Sequence, residues 1–403
     1  MLRKKIQAWQ PKGAILSAWL SHKLKNISQR PAKFSAGRPT VIGFMSSPTG
    51  LGYGARLIFN ALKENGYQPN AINISNLFFP EMITSIPFFS NGEIGDGPLI
   101  FHVNGPELLF VMNRLGSKKI KNQKIIAVWA WEQKTLPASW LKVESFVDEI
   151  WASSRFLENM FQENLNTPVY YTPYPVAASS TISIDKVVPE CNVVRVYTSF
   201  DPKSGLERKN PEAVIETFRQ GFKDDPTIAL TVKVSDPDWP IPKSWKTLKN
   251  VNVINSIVPD SEIRQEMASH DCVISLHRSE GFGFLVARAL ALGLPTIFTE
   301  GFGCNDFSSC PGALTVKGED YTIQSKSSRY EEKHGQWLDP NIKQAQTYLQ
   351  ELSKLPKSAH LETARRARLW WKTHYGTDSF IDKIPHDTKL LFCKWETSEH
   401  IDS

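Results

Sequence analysis

The chain holds 403 residues with 41% apolar and 22% charged side chains and a formal net charge of +6. That is the composition of a soluble globular protein, long enough for two domains that each bury a core. No window supplies the roughly 18 uninterrupted apolar residues that a membrane-spanning helix needs. The five cysteines are scattered without CxxC pairing, which argues against a structural zinc and fits a reducing compartment.

The charge is unevenly spread, because no Asp or Glu precedes Glu64. Residues 1–38 form a basic arm in which Lys and Arg mix with Trp9, Leu16, Trp19 and Leu20. It lacks the apolar region and cleavage site of a signal peptide. It reads equally as an arm on an anionic membrane surface or as a solvated terminus. Nucleic acid is disfavoured as a partner, since the excess charge stays in this arm and is not interleaved with aromatics elsewhere.

TVIGFM (Thr40–Met45) is short, apolar and β-branched, as a buried strand would be. SSPTGLGYGAR then reads as a strand-to-helix turn before the helix LIFNALKENGY. Strands are expected at PNAINIS, PLIFHVN, KIIAVWAW, DEIWASS and PVYYTPYPV, with helices at ASWLKVESFV and SRFLENMFQENL. Polar, aperiodic residues from Ala177 to Pro189 mark a linker. A second series follows, VVRVYTSF, PEAVIETFRQGF, IALTVKVS, NVNVINSIV, SEIRQEMASH, DCVISLH and LPTIFTE, and the tail from about Ile342 is helical in pattern. Alternating strands and helices imply parallel sheets covered on both faces. The expected architecture is α/β, with two Rossmann-like halves facing across a cleft and closed by C-terminal helices. Residues 39–180 would form the first half, 190–355 the second, and 356–403 helices packing back on the first. Ligands bind such sheets at the carboxyl ends of strands where strand order reverses.

Five segments there could carry chemistry. Gly50, Gly52 and Gly54 would let backbone approach an anion at a helix N-terminus, or simply make a tight turn. Their GxGxG spacing and the lack of a following acid make a nicotinamide cofactor a minor alternative. Ser279-Glu280-Gly281-Phe282-Gly283 precedes a helix that Gly293 would cap and Pro295 would stop. Its first amides, near Gly283 and Phe284, suit a diphosphate, and Glu280 could accept hydrogen bonds from sugar hydroxyls. Lys203, Arg208 and Lys209 lie at the end of VVRVYTSF, where they could clamp phosphates or merely be solvated. Trp131 and Glu132 end another strand and would suit a carbohydrate, with a core tryptophan pair as the alternative. His102, with Asn104, is a weaker candidate of the same kind.

Together these blocks resemble the GT-B glycosyltransferases of the large retaining family 4, bacterial surface-polysaccharide type. The likeness rests on HRSEGFG with its following helix, LG and P; on SFDPKSGLERKNPEAVIETF; and on AVWAWEQKTLPASWLKVESFVDEIWASSRF. It spans nearly the whole chain after the arm. It implies transfer of a sugar from a UDP-, GDP- or ADP-linked donor to a glycan or lipid-linked acceptor. Configuration would be retained, with no essential metal and no cofactor beyond the donor itself, at a cytoplasmic site that includes the inner membrane face. Arg208 and Lys209, with Lys203 as a substitute for either, would neutralise the donor diphosphate. Glu280 would hold the donor sugar, with Gly281, Phe282, Gly283, Phe284 and the Gly50–Gly54 loop closing on it. Glu132 would orient the acceptor or touch the donor sugar, Trp131 and His102 would contact the acceptor, and Asn305 would face the donor. One departure stands out: the second acid of the family's E-x7-E pattern is Arg288, which has no acceptor for a ribose hydroxyl. Another acceptor could hold the ribose, Arg288 could bind phosphate instead, or the chain could be a catalytically impaired subunit that scaffolds a partner enzyme.

Overall fold

The computed structural model describes residues 31, 33–78, 92–177, 182–184, 193–324 and 336–394. Residues 1–30 of the basic arm and most of the linker expected at Ala177–Pro189 lie outside them. Among the described residues, no helix is long and apolar enough to cross a membrane.

The first half is built on β1 (Thr40–Gly43), β2 (Asn70–Asn73), β3 (Leu99–His102), β4 (Ile125–Val128), β5 (Glu149–Ala152) and β6 (Val169–Tyr171). All pairs are parallel, in the order β2-β1-β3-β4-β5-β6. Four of these strands are buried along their whole length, because α1 (Gly50–Glu64), α2 (Gly105–Leu115) and α3 (Arg155–Asn164) are among the helices that cover the sheet. Continuous apolar runs rather than alternation are the expected signature of such strands.

The second half repeats the plan with β7 (Val194–Phe200), β8 (Ile228–Val234), β9 (Val251–Asn255), β10 (Cys272–Ser275), β11 (Thr296–Thr299) and β12 (Ala313–Val316). Its order is β12-β11-β10-β7-β8-β9, so strand order reverses between β7 and β10. The covering helices include α4 (Pro211–Gly221), α5 (Asp260–Ala268) and α6 (Phe284–Leu292). As expected, α6 ends on Gly293 in the left-handed region, at φ 85°.

An antiparallel hairpin, β13 (Gly318–Thr322) with β14 (Gln336–Pro340), follows and was not anticipated. Its strands, GEDYT and QWLDP, carry too few apolar residues to advertise a sheet. After α7 (Ile342–Leu352) come the helices α8 (Lys357–Tyr375) and α9 (Thr377–Lys383) and a helical turn at His386–Lys389. The fully buried Trp371 of α8 donates its indole N–H to the Val176 carbonyl at 2.6 Å. One apolar cluster therefore joins Val41 and Ile58 of the first half to Val286 and Leu290 of α6 and to Trp371.

Two local expectations change. ASWLKVESFV is not one helix but a turn at Ala138–Leu141 and a 3₁₀ turn at Glu144–Phe146. Trp140, Val143 and Phe146 are all buried, and their spacing of three matches the 3₁₀ repeat. The glycine run is likewise not a loop, because α1 begins at Gly50, with the Thr49 side chain accepting from the Gly52 N–H at 3.4 Å. The glycines are there for close approach: a Cβ on Gly54 would lie 2.6 Å from His102 Nε2 and 2.8 Å from the Tyr174 ring. Gly50, by contrast, has only the Phe284 ring nearby, at 3.4 Å. Gly54→Ala should therefore destabilise the fold by about 1–3 kcal/mol through overpacking. Gly50→Ala should leave stability unchanged or raise it by a few tenths of a kcal/mol. Urea unfolding of both variants checks the contrast, and equal stabilities would refute it.

Candidate active site

The site lies at the carboxyl ends of β7 and β10, where strand order reverses. Beyond β7, Asp201 accepts the Lys203 N–H at 2.8 Å and starts a 3₁₀ turn. Gly205, at φ 100°, then admits a single helical turn, Leu206–Lys209, which Asn210 ends at φ 49°. Asn is among the few side chains that enter the left-handed region readily, and its amide also anchors on the Leu276 carbonyl at 3.0 Å. Pro211 next opens α4 at a position where its missing N–H costs nothing. The run SGLERKNP thus turns Arg208 and Lys209 back toward the end of β10.

Beyond β10 the chain runs through His277, Arg278 and Ser279 to Glu280. Gly283 stands at the start of α6 with φ 90°, and any side chain there would collide with Cys304 Sγ. No side chain caps α6, so its first amides remain available to an anion. The hairpin braces this loop from outside: Leu338 N donates to the Arg278 carbonyl at 3.0 Å, and the Arg278 guanidinium covers the Tyr321 ring at 4.0 Å.

Glu280 is clasped by two cations. Lys209 Nζ donates to its Oε1, and Arg208 Nη1 lies 3.1 Å from its Oε2. The Arg208 guanidinium is fixed by the carbonyls of Ser279 (2.9 Å) and Ser204 (2.8 Å) and is almost wholly buried. Burial by itself would raise the Glu280 carboxyl, but Lys209, Arg208 and His277 outweigh it and hold the group at about 2. At neutral pH Glu280 is an anion that accepts hydrogen bonds and has no proton to give.

The first half closes directly on this loop. Glu132 reaches within 3.7 Å of Arg208 Nη2, so four residues singled out from the sequence, Glu132, Arg208, Lys209 and Glu280, meet in one cluster. The Glu132 carbonyl also accepts from Ser279 Oγ (2.8 Å) and from Trp337 Nε1 (2.9 Å). Ser154, which caps α3, donates to the Gly281 carbonyl at 2.7 Å. A Cβ on Gly281 would stand 2.7 Å from the Trp131 carbonyl, so the contact requires glycine. Phe282 and Phe284 pack against Tyr174 at 5.0 and 4.9 Å between ring centroids.

The other sequence candidates sit apart from this cluster. Lys203 pairs with Asp236 at 3.0 Å and is half exposed. Trp131 is buried, packs on Trp140 at 5.3 Å and donates to the Thr135 carbonyl, so its ring serves the core. His102 is fully buried, bonds Tyr174 Oη at 2.8 Å and is lowered by burial to about 4. Gly52 and Gly54 are buried within α1 against protein. Asn305 lines a rim cavity with Arg155, Asn159, Phe302 and Lys317. Arg288 is bound to Asp260 and covers the Tyr53 ring. Asp260, Arg56 and Tyr53 were missed in the sequence, where nothing relates positions 204 residues apart. Among the described residues no group of three His, Cys, Asp or Glu side chains could hold a metal ion.

No family model and no curated protein matches the chain. Solved structures do resemble it. A glycosyltransferase from Rickettsia africae superposes with TM-score 0.61 at 14% identity, over 90% of this chain and 99% of that one. Anabaena HepE, in complex with UDP and glucose, gives 0.54 at 12% identity over 85% and 96%. S. aureus TarM, in a complex that includes UDP, gives 0.52 at 14% identity; it matches 72% of this chain, which spans only 54% of TarM. At these identities the likeness is one of fold, and the fold is GT-B.

The Glu280 cluster predicts a pH signature. Its carboxyl is depressed from an ordinary 4.5 to about 2, so the stability it contributes is complete above about pH 4.5 and is lost as pH falls toward 2. Glu280→Gln should therefore destabilise the protein at pH 7 and progressively less between pH 4.5 and 3. A difference from wild type that stays constant over that range, by urea unfolding, would show that the cations do not hold the carboxylate.

Proposed function

We propose that the chain is a glycosyltransferase, moving a sugar from a nucleoside-diphosphate donor to a glycan or lipid-linked acceptor. The observation that carries this reading is the ionised Glu280 held by Arg208 and Lys209 beside the uncapped start of α6, facing Glu132. The complexes of HepE and TarM with UDP, on the same fold, support it. In the reaction the bond between the sugar's anomeric carbon and the diphosphate breaks, and the diphosphate leaves with the electron pair. The acceptor hydroxyl oxygen bonds to that carbon and gives its proton to an oxygen of the departing diphosphate. Charge therefore grows on the leaving group, where two preorganised cations and helix amides stabilise it most. Arg208 and Lys209 would exchange part of their hold on Glu280 for diphosphate oxygens, freeing its lone pairs for donor-sugar hydroxyls.

Retention of configuration and independence from a metal belong to the same proposal, with the two cations giving the leaving diphosphate the charge stabilisation that a metal would otherwise supply. Glu132, 3.7 Å from Arg208 Nη2, would touch the donor sugar or orient the acceptor. The pathway is bacterial surface-polysaccharide or lipopolysaccharide synthesis, at the cytoplasmic membrane face, with residues 1–38 as a contact for anionic lipid.

A thermal-shift screen of UDP-, GDP- and ADP-sugars, followed by donor hydrolysis and transfer assays, tests this. At least one donor should stabilise the protein and turn over, and Lys209→Gln should lower turnover by about 10²–10³. Failure of every donor to bind would favour the scaffolding subunit instead.

A further inference from the structure

The residue that departs most from the glycosyltransferase pattern, Arg288, belongs to a charge cluster that joins the two halves through Asp260. Its Nη2 donates to Asp260 Oδ1 at 2.9 Å, and the other oxygen of that carboxylate, Oδ2, accepts from Arg56 Nη2 at 2.7 Å. Asp260 opens α5 in the second half, whereas Arg56 lies on α1 in the first. Arg56 is fixed by two further hydrogen bonds of 2.9 Å from Nη1, to the carbonyls of Met45 and Ser47. Its fork is therefore already aimed before Asp260 arrives, which lowers the entropy cost of the pair. The side chains of Arg56, Asp260 and Arg288 are only 10, 19 and 13% exposed, so salt screens them weakly.

Tyr53, also on α1, completes the junction. Its ring lies under the Arg288 guanidinium at 3.7 Å and meets the Phe284 ring edge-on at 4.9 Å. Two guanidiniums share one carboxylate, and the electron-rich ring face offsets part of the remaining positive charge. The ring occupies the space between Phe284 and Arg288, one turn apart on α6. The same closure buries the neighbouring cluster, leaving the side chains of Arg208, Glu280 and Lys209 at 3, 12 and 24% exposure. With those groups so little exposed, a nucleoside diphosphate reaches them only when the packing between the halves opens.

We infer that Tyr53, Arg56, Asp260 and Arg288 form a latch that holds the halves together over the site and must release to admit a nucleotide ligand. Only access to the ligand rests on the proposed function; closure itself does not. A closed majority state taxes binding, because apparent affinity scales with the fraction of molecules that are open.

Small-angle scattering of the protein without ligand, and calorimetry with UDP, GDP and ADP as probes, test the latch. The variants are Asp260→Asn, which removes the bridging charge, and Tyr53→Leu, which leaves both ion pairs in place. Circular dichroism confirms that each is folded. Both should have a larger radius of gyration than wild type, and the diphosphate that binds should do so about tenfold more tightly, as for a minor open state of a few per cent. Unchanged radii in both variants would overturn the latch. Larger radii with unchanged or weaker binding would overturn its control of access. If none of the diphosphates binds any form, the proposed function fails, and the radii alone decide whether the halves are latched.

Discussion

A buried carboxylate between two cations is the constraint around which the second half is organised. Glu280, Arg208 and Lys209 are withdrawn from water, and none is tolerable there alone: removing one partner from such a group typically costs about 3–5 kcal/mol. The unusual backbone nearby follows from that demand. Left-handed Gly205 and Asn210 turn the cations inward, and left-handed Gly283 places Glu280 immediately before α6. Arg208 is held by carbonyls from both strand ends, so it stays in place if Glu280 yields part of its contact to another anion.

The first half meets this loop largely through backbone. Carbonyls of Glu132 and Gly281 accept from Ser279, Trp337 and Ser154, and the glycine at 281 permits the approach. The guanidiniums of Arg56 and Arg288 on Asp260 add a second junction, made of charge rather than backbone. The helices α8 and α9, returning to the first half, supply the apolar third. Burial of the Glu280 cluster is thus a property of how the halves meet, not of either sheet alone.

Much of this was legible in the sequence. Apolar strand runs gave the two parallel sheets, and Gly293 with Pro295 gave the end of α6. Three charged residues at two strand ends that the topology makes adjacent gave the cluster. The glycine run misled because strand-to-helix turns and tightly packed helix starts use the same residue for different reasons. Trp131 stayed open between two readings, because a tryptophan at a strand end reads alike whether its ring faces a cleft or, as here, Trp140. Arg288 could be identified as anomalous but not explained, since its partners come from α5 and α1 and from no local pattern. Nor did the polar hairpin β13–β14 show, although it braces the Glu280 loop.

The central claim is that Arg208 and Lys209 are there for a diphosphate. It is tested most directly by calorimetry of a binding nucleoside diphosphate and of its parent nucleoside, against wild type and Lys209→Gln. If Lys209 Nζ meets the diphosphate, the variant should lose most of the advantage of the diphosphate over the nucleoside while binding the nucleoside as wild type does. Equal losses for both ligands, or none for either, would contradict it.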